Sequence, residues 1–303
     1  MNKEIKNLIL TPFNLLYHVN PVLETKLLYL LKNKRRLNVN NPTTYNEKLQ
    51  WLKLYYRNDL MPKCADKFSA RQYIEERGYG KYLPKLYWHG FSPEDIPFDT
   101  LPNEFVIKST SGSGNNIIVR DKHQLDLAST KRKISKWMKE KYLVAYGEWH
   151  YLKIKPSIIV EELLSDGVHD VPMDFKMFCF NNCPDTVLCT AVDMDRFNGH
   201  KRAIYNQEWK FLGDVKMKFN NGGSDCIPKP LHYEKMVEIA SDLAKPFPHA
   251  RIDFFVTGGG DFYVGEITFF NGAGYDMVTP DVYNRKMGDC IKLPDKNNKS
   301  YDS

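Results

Sequence analysis

Arg251, Asp253, Glu266 and Thr268 lie two residues apart on each side of a glycine-rich turn, a spacing that can gather carboxylates and a guanidinium at one place. Alternating apolar residues flank Thr257-Gly258-Gly259-Gly260-Asp261, which predicts a β-hairpin. With Gly258 to Asp261 as the loop, Thr257 faces Phe262, Phe255 faces Val264, and Asp253 lands opposite Glu266. Such cross-strand neighbours have Cβ atoms about 5 Å apart, where like charges repel. A cation between them resolves the conflict. A hard one with oxygen ligands, Mg²⁺ held by a few carboxylates and by phosphates, suits these side chains best. The same register sets Arg251 beside Thr268. A solvated hairpin face with an Arg–carboxylate pair is the plainer reading of the same residues.

A second constellation is the strand Phe105-Val106-Ile107-Lys108, the run from Ser109 to Asn116, and a further strand, Ile117-Ile118-Val119-Arg120. Ser111, Gly112, Ser113 and Gly114 are small enough to let backbone N–H groups approach an anion, and Lys108 aims an ammonium at the same place. The run does not have the GK[ST]-before-helix pattern of a P-loop. Ile158-Ile159-Val160-Glu161-Glu162-Leu163-Leu164 reads as a buried strand ending in paired acids. Glu161 there could accept from an adenine amino group or a ribose hydroxyl, with Leu163 flanking the ring; the alternative is a strand edge with solvated acids. On Asp174-Phe175-Lys176-Met177-Phe178, a lysine on an aromatic strand needs an anionic partner, either a protein carboxylate or a phosphate.

The elements that position these residues alternate in type. Helices are expected through residue 60, with Thr44 as an N-cap, then from Ala65 to Arg77, Thr130 to Tyr142 and 233 to 244. Strands are expected at Leu86–Trp88, Ser157–Leu164 and through 174–211. The basic run Lys32-Asn33-Lys34-Arg35-Arg36 reads as a solvated helix end in preference to a lipid- or polyanion-binding patch. With 303 residues, 42% of them hydrophobic and 26% charged, the chain has the composition of a soluble globular protein. A net charge of +6 helps attract an anionic ligand but does not argue for nucleic acid. Six cysteines, with no CxxC pair and no His at zinc spacing, are expected as reduced thiols in a cytoplasmic protein. Pro12 and polar residues interrupt the apolar start, so neither a signal peptide nor a membrane span is expected.

Taken in order, Asp66-Lys67, the Lys108 strand and its Ser/Gly turn, Val160 to Leu164, Lys176, and Arg251-Ile252-Asp253 with Gly265-Glu266-Ile267-Thr268 resemble the ATP-grasp superfamily. The resemblance is closest to its TupA-like branch, named for teichuronopeptide biosynthesis and found in bacterial surface-polysaccharide gene sets. Asn41 to Trp51, Asp195-Arg196-Phe197 and Met287 to Pro294 look like that branch's signatures, so the resemblance covers nearly the whole chain. It implies an α+β ATP-grasp fold, two α+β subdomains clamping ATP. These would follow a helical N-terminal region at 1–62. The catalytic region would span 63–293, divided into a nucleotide-loop part at about 105–164 and a metal-site part at about 165–293, with a polar tail at 294–303.

Carried over by position, the resemblance implies that Lys67, Lys108 and Lys176 hold the phosphates of ATP. Glu161, Glu162 and Leu163 would frame the adenine, and Asp253 and Glu266 would bind Mg²⁺. Arg251 would stabilise an acyl phosphate or tetrahedral centre, with Lys176 also catalytic. Thr268 stands where many ATP-grasp enzymes have Asn; its hydroxyl would ligate Mg²⁺ or hold a ligating water, and Asn271 is the nearest amide that could substitute. The implied activity is carboxylate–amine ligation by way of an acyl phosphate, joining an amino acid to a uronic acid. The partners would be a small-molecule or saccharide carboxylate and an amine, with a peripheral association at the inner face of the membrane with membrane-linked polysaccharide intermediates. Two other readings remain: a glycosyltransferase using Asp193-Met194-Asp195 as a metal site, and a non-catalytic nucleotide-binding protein.

Overall fold

The computed structural model describes residues 3–112, 114–140, 142–169, 171–194, 201–218 and 227–296. Ser113, Asp195-Arg196-Phe197, Cys226 and the last part of the polar tail lie outside the described residues.

Five helices come first: α1 (Lys3–Val19), α2 (Pro21–Asn33), α3 (Tyr45–Tyr55), α4 (Leu60–Ala65) and α5 (Ser69–Glu76). Pro12 does not stop α1, which runs through it. Thr44 caps α3 as expected, its side chain accepting from Glu47 N while Glu47 reaches back in a capping box. The helix expected from Ala65 to Arg77 begins only at Ser69, as α5, after α4 has ended at Ala65. Asp66 Oδ1 accepts from the N–H groups of Phe68 and Ser69 at 3.1 and 2.8 Å, a local turn that competes with the helix. Lys67 therefore sits in a corner between α4 and α5 rather than on a helical face.

Next come β1 (Leu86–Gly90), β2 (Phe105–Ser109), β3 (Asn116–Val119), α6 (Leu127–Lys139) and β4 (Ile158–Glu161). They form a four-stranded antiparallel sheet in the order β1-β4-β2-β3. Asp126 caps α6, accepting from Ser129 N at 2.9 Å, so that helix begins and ends three residues earlier than its periodicity suggests. Strand β4 stops at Glu161, short of the expected Leu164. Phe105, Ile107, Ile134, Trp137, Ile158 and Val160 join in one apolar cluster between sheet and helix.

The rest of the chain supplies β5 (Asp174–Phe180), β6 (Val187–Met194), β7 (Lys201–Asn206), β8 (Lys216–Met217), α7 (Tyr233–Ala244), β9 (His249–Val256), β10 (Phe262–Thr268), β11 (Val278–Thr279) and α8 (Asp281–Asp289). Strands β10-β9-β5-β6-β7 make an antiparallel sheet; β8 and β11 pair separately. One face of the larger sheet, with Phe175, Met177, Ile252 and Phe254, packs on Met236, Ile239 and Leu243 of α7. Tyr45, Leu49 and Leu52 of α3 belong to the same core.

The cysteines depart from expectation. Cys64, Cys179 and Cys189 are free and buried, but Cys183 and Cys290 form a disulfide. The two are 107 residues apart, so no spacing motif announces them, and they meet because the turn after β5 lies against the end of α8. There Asn182 N donates to Cys290 O at 3.1 Å, and the Cα atoms come within 4.8 Å. The cytoplasmic reading rested on reduced thiols, and this bond removes that support. No helix among the described residues is long and apolar enough to cross a membrane.

Candidate active site

The hairpin places its charges as the alternation demands, but by a different route. Glu266 pairs with Asp253 and Thr268 with Arg251, as expected. Toward the tip, Tyr263 pairs with Phe255 and Phe262 with Val256, one residue off the expected Phe255–Val264 and Thr257–Phe262. The loop is one residue shorter than expected, closing at Asp261 instead of Phe262, with Thr257 N donating to Asp261 O at 2.8 Å. A bulge between Val264 and Glu266 restores the register. Gly265 sits in that bulge, and a Cβ there would come within 2.7 Å of the Phe255 ring.

Strand pairing carries the charges across the sheet. Asp253 on β9 lies opposite Lys176 on β5; Asp174 lies opposite Asp193 on β6; Asp193 lies opposite Arg202 on β7. Directly paired residues share a face, so Glu266, Asp253, Lys176, Asp174, Asp193 and Arg202 form a charged row behind the apolar face that meets α7.

Within the row, Arg251 grips Asp253 through Nε to Oδ1 at 2.7 Å and Nη2 to Oδ2 at 2.6 Å. It also donates to the Asn271 side-chain oxygen, to Thr268 Oγ1 at 3.1 Å and to Glu266 Oε1 at 3.3 Å. Lys176 donates to Asp174 and, at 3.0 Å, to Asp253, with Asp193 at 3.7 Å. Of the two anions open to Lys176, the structure supplies protein carboxylates. Burial alone would raise the Asp253 carboxyl, but the Arg251 and Lys176 charges reverse this and hold it well below the usual carboxylate range. Burial lowers Lys176, and Asp253 partly opposes it. Asp253 is 2% exposed at its side chain and Glu266 39%, so the two carboxylates differ in access.

Across the cleft stands the smaller sheet. Lys108 forms an ion pair with Glu161, which also lies 3.7 Å from Arg71. Lys108 Nζ is 6.0 Å from the centre of the Phe255 ring, so it reaches from one wall toward the other. Lys67 donates its backbone N–H to Thr110 O at 2.9 Å and its ammonium to Gly112 O at 2.7 Å. Burial lowers the Lys67 ammonium; Glu266 and Glu161 raise it while Lys108 lowers it further, which places all four groups in one electrostatic neighbourhood. Gly112 and Gly114 have φ of +72° and +82°, the left-handed region that glycine enters without strain.

Beyond β4, Glu162 N donates to Lys85 O at 2.9 Å, and the chain then crosses between the two sheets. Glu162, Leu163 and Leu164 line the cleft with Val106 and Ile159 on one side and Val264 on the other. Seven expected site residues therefore come together at this cleft: Lys67, Lys108, Glu161, Glu162 and Leu163 on one wall, Glu266 and the buried Asp253 on the other. Arg71, which lines the cleft and faces Glu161, was not foreseen, although its spacing of four from Lys67 is the spacing that puts two residues on one helical face. In the Asp193-Met194-Asp195 tripeptide, Arg202 holds both Asp193 oxygens at 2.5 and 2.8 Å, and Asp195 lies outside the described residues.

A cleft between two antiparallel sheets, with lysines and a glycine-bearing turn on one wall and paired carboxylates on the other, is the α+β ATP-grasp architecture. The chain belongs to the TupA-like ATP-grasp family, whose model matches residues 47–292. No curated protein matches it. Similar solved structures include the L-amino acid ligase from Bacillus licheniformis, at 15% identity over 72% of this chain and 46% of that one, with a TM-score of 0.47. Another is the D-alanine–D-alanine ligase from Bacillus anthracis complexed with ATP, at 16% identity over 68% and 55%, with a TM-score of 0.41. A third, an ATP-grasp ligase complexed with a phosphomimetic variant of its minimal precursor, Mg and ADP, has 14% identity over 76% and 60%, with a TM-score of 0.40. The chain spans about half the length of the solved structures it matches.

Proposed function

We propose that this protein is an ATP-dependent carboxylate–amine ligase. The observation that carries the reading is the register of the hairpin, which sets Arg251, Asp253, Glu266 and Thr268 side by side, with Glu266 lining a cleft whose other wall carries Lys67 and Lys108. Family membership supports it independently.

The donor set fits Mg²⁺. Among the described residues no group of three His, Cys, Asp or Glu side chains converges on a metal site. Mg²⁺ is commonly bound by one or two carboxylates, with waters and substrate phosphates completing its shell, and Asp253 and Glu266 meet that need. Thr268 and Asn271 add a hydroxyl and an amide beside them. When bound, Mg²⁺ supplies charge neutralisation at the phosphate oxygens. Arg251 now occupies both Asp253 oxygens, so loading the site requires that fork to shift.

Each residue then has a task. Lys67 and Lys108 exchange their present partners, a carbonyl and Glu161, for phosphates. Glu161, Glu162 and Leu163 frame the base. Lys176, enclosed by aspartates, acts as a positioning residue for Asp253. The substrate carboxylate attacks the γ-phosphorus and ADP leaves; the amine then attacks the acyl carbon and phosphate departs with one former carboxylate oxygen. Arg251, released from its present partners, stabilises the oxyanion of that second step. The family's association with teichuronopeptide synthesis points to a uronic acid as the carboxylate and an amino acid as the amine.

The test is ADP release against a panel of uronic acids and amino acids, followed by product mass with an ¹⁸O-labelled carboxylate. One label should pass to inorganic phosphate. A sugar-transfer product formed without ATP consumption would overturn the proposal, as would nucleotide binding without any turnover.

A further inference from the structure

Helices α1 and α2 pack on each other and turn an apolar stripe away from the protein body. On α2, Glu24, Thr25, Leu28 and Tyr29 are buried, while Leu23, Leu27, Leu30 and Leu31 fall on the opposite side and are exposed by 45, 40, 43 and 55%. Helix α1 repeats the pattern. Leu10 is buried, and Leu8, Leu15 and Val19, about half a turn away around the helix, are exposed by 75, 64 and 84%. Single exposed apolar residues are ordinary, but a stripe along two adjoining helices marks a docking surface.

Its charge is one-sided. Between Leu8 and Arg36 the sole acid is Glu24, which is buried, whereas Lys26, Lys34 and Arg36 are exposed. Arg35 in the same run bonds Asp281 at 2.7 Å, and Lys32 lies 4.7 Å from the centre of the Tyr146 ring. The basic run is exposed at the end of α2, as expected of a solvated helix end, and it follows directly on the exposed leucines of that helix.

We propose that the α1–α2 face docks on an anionic lipid surface, with its leucines entering the headgroup–acyl boundary and Lys26, Lys34 and Arg36 meeting lipid phosphates. A second copy of the chain is a poorer occupant. A face whose exposed charges are all cationic offers a second copy of itself no complementary charge. The helices would lie on the surface rather than cross it, since no helix among the described residues is long and apolar enough to span. The inference does not depend on the reaction the cleft performs.

The experiment is co-sedimentation of the whole chain with vesicles of pure phosphatidylcholine and of phosphatidylcholine mixed with phosphatidylglycerol. Binding should require the anionic lipid and weaken with salt. Lys26→Ala/Lys34→Ala/Arg36→Ala should lower the affinity about a hundredfold, at about fivefold per charge. Leu15→Ser/Leu27→Ser/Leu31→Ser should lower it tenfold or more. Both variants should keep the parent melting temperature; if the leucine variant does not, the cation variant still decides. Equal binding to both vesicle types, or undiminished binding by the cation variant, would overturn the proposal. So would self-association in vesicle-free solution that the leucine changes abolish.

Discussion

The two walls of the cleft hold their charges differently. On the wall made by the larger sheet nearly every charged group touches another in the interior: Arg251 on Asp253, Lys176 on Asp174 and Asp253, Arg202 on Asp193. On the β2–β4 wall Lys108 has one close carboxylate and Lys67 rests on a backbone carbonyl beside glycines in left-handed conformation. The first arrangement is mutually locked, because removing one charge strands another where water cannot reach it. The second can change partners cheaply, which a surface that binds and releases a nucleotide must do. Stability and chemistry are therefore inseparable on one wall and separable on the other.

The contrast is open to direct attack. Its largest expected effect is on Asp253→Asn, which leaves Arg251 and Lys176 short of their shared anion and should lower the stability by about 3–5 kcal/mol in denaturant titration. An unchanged midpoint would show that the wall is not locked. Glu266→Gln, at the accessible end of the same row, should spare the midpoint and cut ATP-dependent turnover about a hundredfold or more, making it the cleaner probe of metal binding.

His249, on the same strand as Asp253, sharpens the point through pH. Burial depresses its imidazole to about 3, with Nε2 bonded to the Tyr45 hydroxyl and Nδ1 to Cys179 O. Below the ordinary pKa of about 6.5, the unfolded chain takes up a proton that the folded chain refuses, so this residue removes about 1.4 kcal/mol of stability per pH unit as the pH falls toward its folded value. His249→Gln should flatten the slope between pH 6 and 4 relative to the parent protein, in melts of the two proteins side by side; parallel curves would refute the assignment.

On the other wall, Lys108→Met should weaken ATP binding about tenfold by calorimetry, with little loss of melting temperature because Arg71 still faces Glu161. The smallest effect is on the 109–116 turn, where amide exchange should slow when ATP and Mg²⁺ are added. Equal exchange with and without nucleotide would mean that this wall is as fixed as its opposite.

What could be read in advance follows the same division. Asp253 and Glu266 were legible because strand alternation and a glycine turn specify which side chains face each other. Thr44 announced its cap by residue type and position alone, whereas the return bond from Glu47 was not foreseen. The residues that escaped depend on contacts remote in sequence or on strictly local competition. Arg202 meets Asp193 only once β6 and β7 pair. Cys183 and Cys290 are joined by the placement of α8. Asp66 breaks a helix by bonding two N–H groups that periodicity would assign to that helix. The bulge was hidden because the early turn and the extra residue cancel by the time the strands reach Asp253.

That cancellation has a consequence for how the hairpin can change over generations. An insertion or deletion in a strand normally flips every later side chain to the opposite face. Here Gly265 acts as an expansion joint, because a bulge already accommodates one unmatched residue between the tip and the carboxylates. Tips of different length can then be tried out at the cleft rim while the positions that do chemistry stay in step. Among descendants of this sequence, length variation should collect at 257–261 and be absent between Glu266 and Thr268.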